Sequence, residues 1–87
     1  MANGDRTRVA AELLLSVADQ NEDPGEALAK WPFPADVEDD DIGKCWHLLS
    51  DYANNMDISR RDRGYDERQR KFLRTCAERL LDKSKDM

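Results

Sequence analysis

Three residues carry most of the chain's reactive potential: His47, the single histidine, and the two cysteines, Cys45 and Cys76. Nucleophilic catalysis needs a thiol or hydroxyl held against a base. Cys45 and His47 stand two positions apart, and two helical positions differ by about 200°, so their side chains diverge. A structural zinc site wants four ligands, commonly in tight pairs. The chain has neither CxxC nor HxxxH spacing. The run Asp36-Val37-Glu38-Asp39-Asp40-Asp41 invites a calcium reading. A loop starting at Asp36, however, puts Asp41 where a glycine belongs and His47 where a bidentate Glu belongs. Phosphate loops, dinucleotide glycine patterns and Gly-x-Ser-x-Gly elbows are absent as well. The expectation is no catalytic residue, no metal and no cofactor. Both cysteines read as small buried hydrophobes, kept reduced in a cytoplasmic setting.

Charge is the second chemical resource. The 87 residues include 14 Lys and Arg against 19 Asp and Glu, a net charge of −5. The division is uneven. Residues 1–43 hold three cations (Arg6, Arg8, Lys30) and eleven anions, whereas residues 44–87 hold eleven cations and eight anions. Eight of those cations fall between Arg60 and Arg79, interrupted by Asp62, Asp66, Glu67 and Glu78. Clustered arginine can hold phosphate with release of counterions. The alternative reading is therefore an accessory nucleic-acid-binding protein using Arg60, Arg61, Arg63, Arg68 and Arg74. The interleaved acids and the absence of helix-turn-helix or finger spacing weigh against it. A solvated helix face paired with the acidic front half accounts for the segment more simply, with Asp66–Arg70 and Glu67–Lys71 at favourable four-residue spacing.

These residues must be positioned by helices. Val9, Leu13, Val17 and Ala10, Leu14, Ala18 recur at three- and four-residue spacing, which predicts a helix over about 6–20 with Asp5 as N-cap. Leu13, Leu14 and Leu15 in succession span about 200°, so one must leave the main stripe. Leu15 is the residue expected to face a second covering element or another molecule. Asp23, Pro24 and Glu26 form the start of a short helix over about 24–30. Trp31-Pro32-Phe33-Pro34 then ends it, as proline disfavours helix in the preceding residue. This stiff aromatic segment is expected to plug the small core. Ile42, Cys45, Trp46, Leu49 and Tyr52 mark a helix over about 37–56, with Asp39, Asp40 and Asp41 at the end where the helix dipole favours anions. Ser59 and Asp62 suggest a short turn that Gly64 interrupts. Asp66 with Gln69 opens a final helix over about 66–82.

β-Formers are scarce and no segment alternates as a strand. The fold class expected is all-α: a small bundle of three main antiparallel helices plus one short helix, in a single domain spanning 1–87 with flexible ends at 1–4 and 84–87. The expected core is Leu13, Val17, Trp31, Phe33, Ile42, Trp46, Leu49, Tyr52, Phe72, Cys76 and Leu80. No run approaches the ~18 apolar residues of a membrane span, and Met1-Ala2-Asn3-Gly4-Asp5 lacks the order of a secretory signal, so the expected location is cytoplasmic. A non-catalytic, acidic helical protein follows by exclusion: a protein-interaction or regulatory module, self-associating or bound to another protein. Inhibitor, immunity factor and antitoxin are subtypes of that reading. Leu15, Trp31, Phe33, Asp39, Asp40 and Asp41 are its expected partner-binding residues.

Overall fold

The computed structural model describes residues 2–33 and 38–85, and every regular element among them is helical. Five helices follow in order: α1 Ala2–Ala18, α2 Pro24–Ala29, α3 Asp40–Asn54, α4 Met56–Arg61 and α5 Arg63–Lys85. The all-α bundle of three main helices is the observed architecture. Pro34, the expected helix start at Asp36–Val37, and the tail residues Asp86 and Met87 lie outside the described residues, as does Met1.

α5 is the spine. Its 23 residues extend about 34 Å at 1.5 Å per residue, most of the 41 Å long axis of the molecule. α1, α3 and α4 all pack on it, while α2 packs on α3 and the end of α1. Three contacts set its direction. Tyr52 near the end of α3 meets Asp66 near the start of α5, and Lys83 near the end of α5 meets Asp39 before α3. Arg74 reaches Ala18 and Asp19 at the end of α1. α5 is thus antiparallel to both of its long neighbours.

The core is a set of matched stripes. α1 contributes Ala10, Ala11, Leu14, Val17 and Ala18, α3 contributes Ile42, Cys45, Leu49 and Tyr52, and α5 contributes Leu73, Ala77 and Leu80, all buried. The alanines shorten the side-chain layer, which lets α1 and α5 approach closely. Of the three successive leucines, Leu14 takes the centre of the stripe, and Leu13 and Leu15 lie half-buried on either side, packed against the core. Trp31 and Phe33 also pack there, half-buried.

Two core expectations fail for one reason. Phe72 is 51% exposed, and Trp46 is only half-buried. Each stands next to a stripe residue, Leu73 and Cys45 respectively, and adjacent helical residues are rotated by about 100°. Burial of the neighbour turns Phe72 and Trp46 to the flank.

The helix ends also differ from expectation. α1 starts before Asp5, which therefore sits within its first turn instead of capping it. α3 begins three residues later than expected because Asp39 is its N-cap, accepting from the N–H groups of Asp41 (3.0 Å) and Ile42 (3.2 Å). A second short helix, α4, occupies the segment read as a turn. Gly64 does not interrupt it; the break falls at Asp62, whose carboxylate accepts from the N–H of Tyr65 at 3.0 Å and starts α5 ahead of Asp66. At α2 the expected start holds: Asp23 accepts from the N–H of Glu26 at 3.2 Å, with Pro24 at the first position.

The register of α5 can be checked directly. Leu73→Ala should destabilise by about 2–5 kcal/mol through the cavity it leaves. Phe72→Ala, one residue away, should change stability by about 0.5 kcal/mol or less. Urea denaturation of the two variants measures both, and equal losses would contradict the assigned buried face.

Candidate functional site

A concave surface lies where the α1–α2 turn faces the α4–α5 elbow. α1 ends in a two-bond C-cap: the N–H of Asn21 donates to the Ser16 carbonyl at 2.8 Å and that of Gln20 to Val17 at 3.1 Å. Such a cap places one residue in the left-handed region, normally glycine. Here it is Gln20, at φ 65°, so the turn presents an amide side chain to the surface. Across from it, α4 and α5 meet at Asp62 with Arg60 and Arg63 on either side of the break. Two adjoining clefts result, of about 410 and 440 Å³. Gln20, Ser59, Arg60 and Asp66 line both.

The floor is a fixed polar chain. The Tyr52 hydroxyl donates to Asp66 at 2.6 Å, and the other Asp66 oxygen accepts from Arg70 Nε at 2.8 Å. Burial, with the adjacent Asp66 carboxylate, pushes the Tyr52 hydroxyl up to about 12. Ser59 is 7% exposed, and its Oγ has no hydrogen-bond partner among the described residues. A buried hydroxyl without a partner costs about 1–3 kcal/mol. Of the carboxylates around the clefts, Glu22 pairs with Lys30 at 2.9 Å, Asp23 caps α2 and Asp66 holds Tyr52 and Arg70, while Glu67 is exposed and makes no ion pair among the described residues. Arg60 and Arg63 are exposed and make no ion pair among the described residues.

Residues singled out in the sequence fall into different places. Arg60 and Arg63 share the second cleft; Arg61 and Arg68 are exposed nearby in sequence. Arg74 instead binds Asp19 at 2.8 Å and the Ala18 carbonyl at 3.4 Å, so it ties α5 to α1. The acidic cluster is partly spent inside the molecule. Asp39 caps α3 and meets Lys83 at 2.5 Å, and Asp41 lies 3.7 Å from the same ammonium. The Lys83 pairing, with the capped N–H groups, holds the Asp39 carboxyl below its usual range. Asp40 alone of the three is exposed. Leu15, Trp31 and Phe33 are half-buried against the core.

The remaining chemical groups form no metal cluster: among the described residues no three His, Cys, Asp or Glu side chains gather to hold an ion. His47 is exposed beside Trp46, the rings edge-to-face at 5.2 Å. Cys45 and Cys76 are free thiols from facing helices. Their interaction, with burial, raises the Cys45 thiol, and the same neighbour together with Arg79 lowers Cys76 to about 7. No helix among the described residues is long and apolar enough to cross a membrane.

No family model matches the chain, and no curated protein or solved structure is significantly similar to it. The cleft therefore has to be read from its own residues. Two of them, Gln20 and Ser59, escaped the sequence reading as site residues. A glutamine in place of a C-cap glycine carries no motif, and Ser59 passed as a helix-capping residue.

Two measurements follow from this geometry. Asp39→Ala removes both a cap and an ion pair and should cost about 1–2 kcal/mol, while Asp40→Ala should be close to neutral. Thermal unfolding separates them, and equal effects would show that the acids act alike. Tyr52 ionises near 10.0 in the unfolded chain and near 12 when folded. Its contribution to stability is thus complete below pH 10 and lost as pH rises through 12. Ultraviolet titration should show a late tyrosinate step that Tyr52→Phe abolishes; a late step persisting in the variant would refute the assignment.

Proposed function

We propose that the chain is a cytoplasmic, non-catalytic interaction module that binds an acidic protein surface through the α4–α5 elbow. The observation that carries this reading is a cluster of exposed arginines at the elbow. Arg60, Arg61, Arg63 and Arg68 make no ion pair among the described residues, and they outnumber the exposed acids interleaved with them, Asp62 and Glu67. Ile58, 47% exposed, adds an apolar contact to the same segment. Arginine beside an exposed aliphatic residue suits a protein interface, where Arg is enriched. Arg74, part of the nucleic-acid set, is already occupied by Asp19. The acidic front half, the earlier expectation for the contact surface, keeps Asp40 as its exposed member but is a weaker choice because its neighbours are internally paired.

The test uses defined probes at low ionic strength, where electrostatic affinity is greatest. Labelled polyglutamate should bind the whole chain, and Arg→Gln at positions 60, 61, 63 and 68 together should weaken it at least tenfold with unchanged circular dichroism. No polyglutamate binding, or undiminished binding by the variant, removes the reading. Tighter binding of single-stranded RNA than of polyglutamate would replace it with nucleic-acid recognition. Light scattering over a concentration series adds the self-association arm: a dimer abolished by the same substitutions would make a second copy the acidic partner.

A further inference from the structure

We propose that Cys76 and Cys45 form a reversible redox site that responds to hydrogen peroxide: Cys76 is the attacking thiol, Cys45 resolves it, and the product is a disulfide joining α5 to α3. The inference goes beyond the protein-partner reading and rests on none of the elbow arginines.

Helix register brings the two thiols together. Asp39 meets Lys83 at one end of the α3–α5 pair, and Tyr52 meets Asp66 at the other. Cys45 stands six positions after Asp39, and Cys76 seven positions before Lys83. In antiparallel helices both steps run the same way, so the thiols reach nearly the same level between the two anchors. Their side chains interact directly across the pair. Packed helices have axes about 8–10 Å apart with Cα atoms about 2.3 Å from each axis, so facing residues come within the roughly 7 Å Cα separation that a disulfide can span.

The two thiols are unequal. Cys45 is 2% exposed, whereas Cys76 is half-buried on the flank of the α5 stripe. The Cys45 thiol and then Arg79, one turn beyond, favour the Cys76 thiolate; burial and Asp41, at the start of α3, oppose it. A partly exposed, acidified thiol beside a resolving one is the arrangement of redox-sensitive cysteines. In the first step the Cys76 thiolate attacks hydrogen peroxide: an S–O bond forms, the O–O bond breaks, and the departing hydroxide takes up the proton that Cys76 released. The sulfur has given two electrons to the peroxide and is now a neutral sulfenic acid. That change removes the main cause that keeps the proton on Cys45, the neighbouring Cys76 sulfur. Cys45 Sγ then attacks Cys76 Sγ, the S–O bond breaks, and the oxygen leaves as water with the Cys45 proton. Two thiols and one peroxide thus give one disulfide and two waters. A reducing cytoplasm would return the pair to thiols, so the bond is transient there.

Hydrogen peroxide added to the reduced whole chain, followed by alkylation and peptide mass spectrometry, tests the assignment. The expected product is a monomer with one Cys45–Cys76 disulfide, formed without denaturant and returned to two thiols by dithiothreitol. Its melting temperature should stand about 5 °C or more above that of the reduced chain. Before oxidation, iodoacetamide should label Cys76 at least about tenfold faster than Cys45; this arm needs no variant. In Cys45→Ala, dimedone should trap a sulfenic acid at Cys76, and Cys76→Ala should consume peroxide at least about tenfold more slowly than the unsubstituted chain. Faster labelling of Cys45 would overturn the proposal. So would a disulfide that forms only in urea or only between chains, sulfinic acid at Cys76 with Cys45 left as a thiol, or a lower melting temperature after oxidation.

Discussion

One stripe on one helix holds this protein together. Leu73, Ala77 and Leu80 are the buried residues of α5, and they must cover α1 on one side and α3 on the other. Fully burying a leucine is worth about 1.5–3 kcal/mol, and a domain of this size has few such residues to use. The geometry is arranged so that each is shared. Ala10, Ala11 and Ala18 on α1, all fully buried, bring that helix close to the stripe. The larger Ile42, Leu49 and Tyr52 fill the opposite side. Because both long neighbours depend on α5, their mutual arrangement depends on it too. The clefts at the elbow exist only while α5 keeps its rotation and its lengthwise position.

Polar contacts fix that lengthwise position from both ends. Tyr52–Asp66 at the start of α5 and Lys83–Asp39 near its finish bracket α3, and Arg74–Asp19 marks the end of α1. Exposed ion pairs are worth about 0–1 kcal/mol each, so their sum is not the main source of stability. Their effect is selective: a one-turn slip of α5 would separate all three at once. Part of the charge asymmetry of the sequence, acids in front and bases behind, is used in this way: Arg74 and Lys83 reach Asp19, Asp39 and Asp41. In the stretch Arg60–Arg68 the one acid with an internal cation is Asp66, which serves Tyr52 and Arg70, and the arginines are left to solvent.

Periodicity made the helices legible, because buried positions must recur every three or four residues whatever they pack against. The α2 start was legible for another reason: Asp23-Pro24 is a local signal that works through its own backbone. Rotation was harder to read. Phe72 and Leu73 are both apolar neighbours, and only the position of α1 and α3 decides that Leu73 points inward. The same applies to Trp46 beside Cys45. Helix ends failed where two signals competed, as at Asp62 and Asp66, both suitable caps, of which the first won because α4 leads straight into α5. The cleft was least visible, since Gln20 and Ser59 lie 39 positions apart and meet only through the fold.

What those two residues share gives the cleft its meaning. Natural sequences are consistent across levels, from turn chemistry to buried hydrogen bonds, and departures concentrate where a protein does something besides folding. A glycine at position 20 would relax the left-handed turn, and an alanine at 59 would remove a buried hydroxyl that lacks a partner. Either change is small and leaves the helical stripes untouched. Stability alone therefore favours replacing both. They stand instead on one concave surface, where Arg60, Arg63 and Arg70 mix with Asp66 and Glu67. Each is a minor strain that the packing along α5 is able to carry.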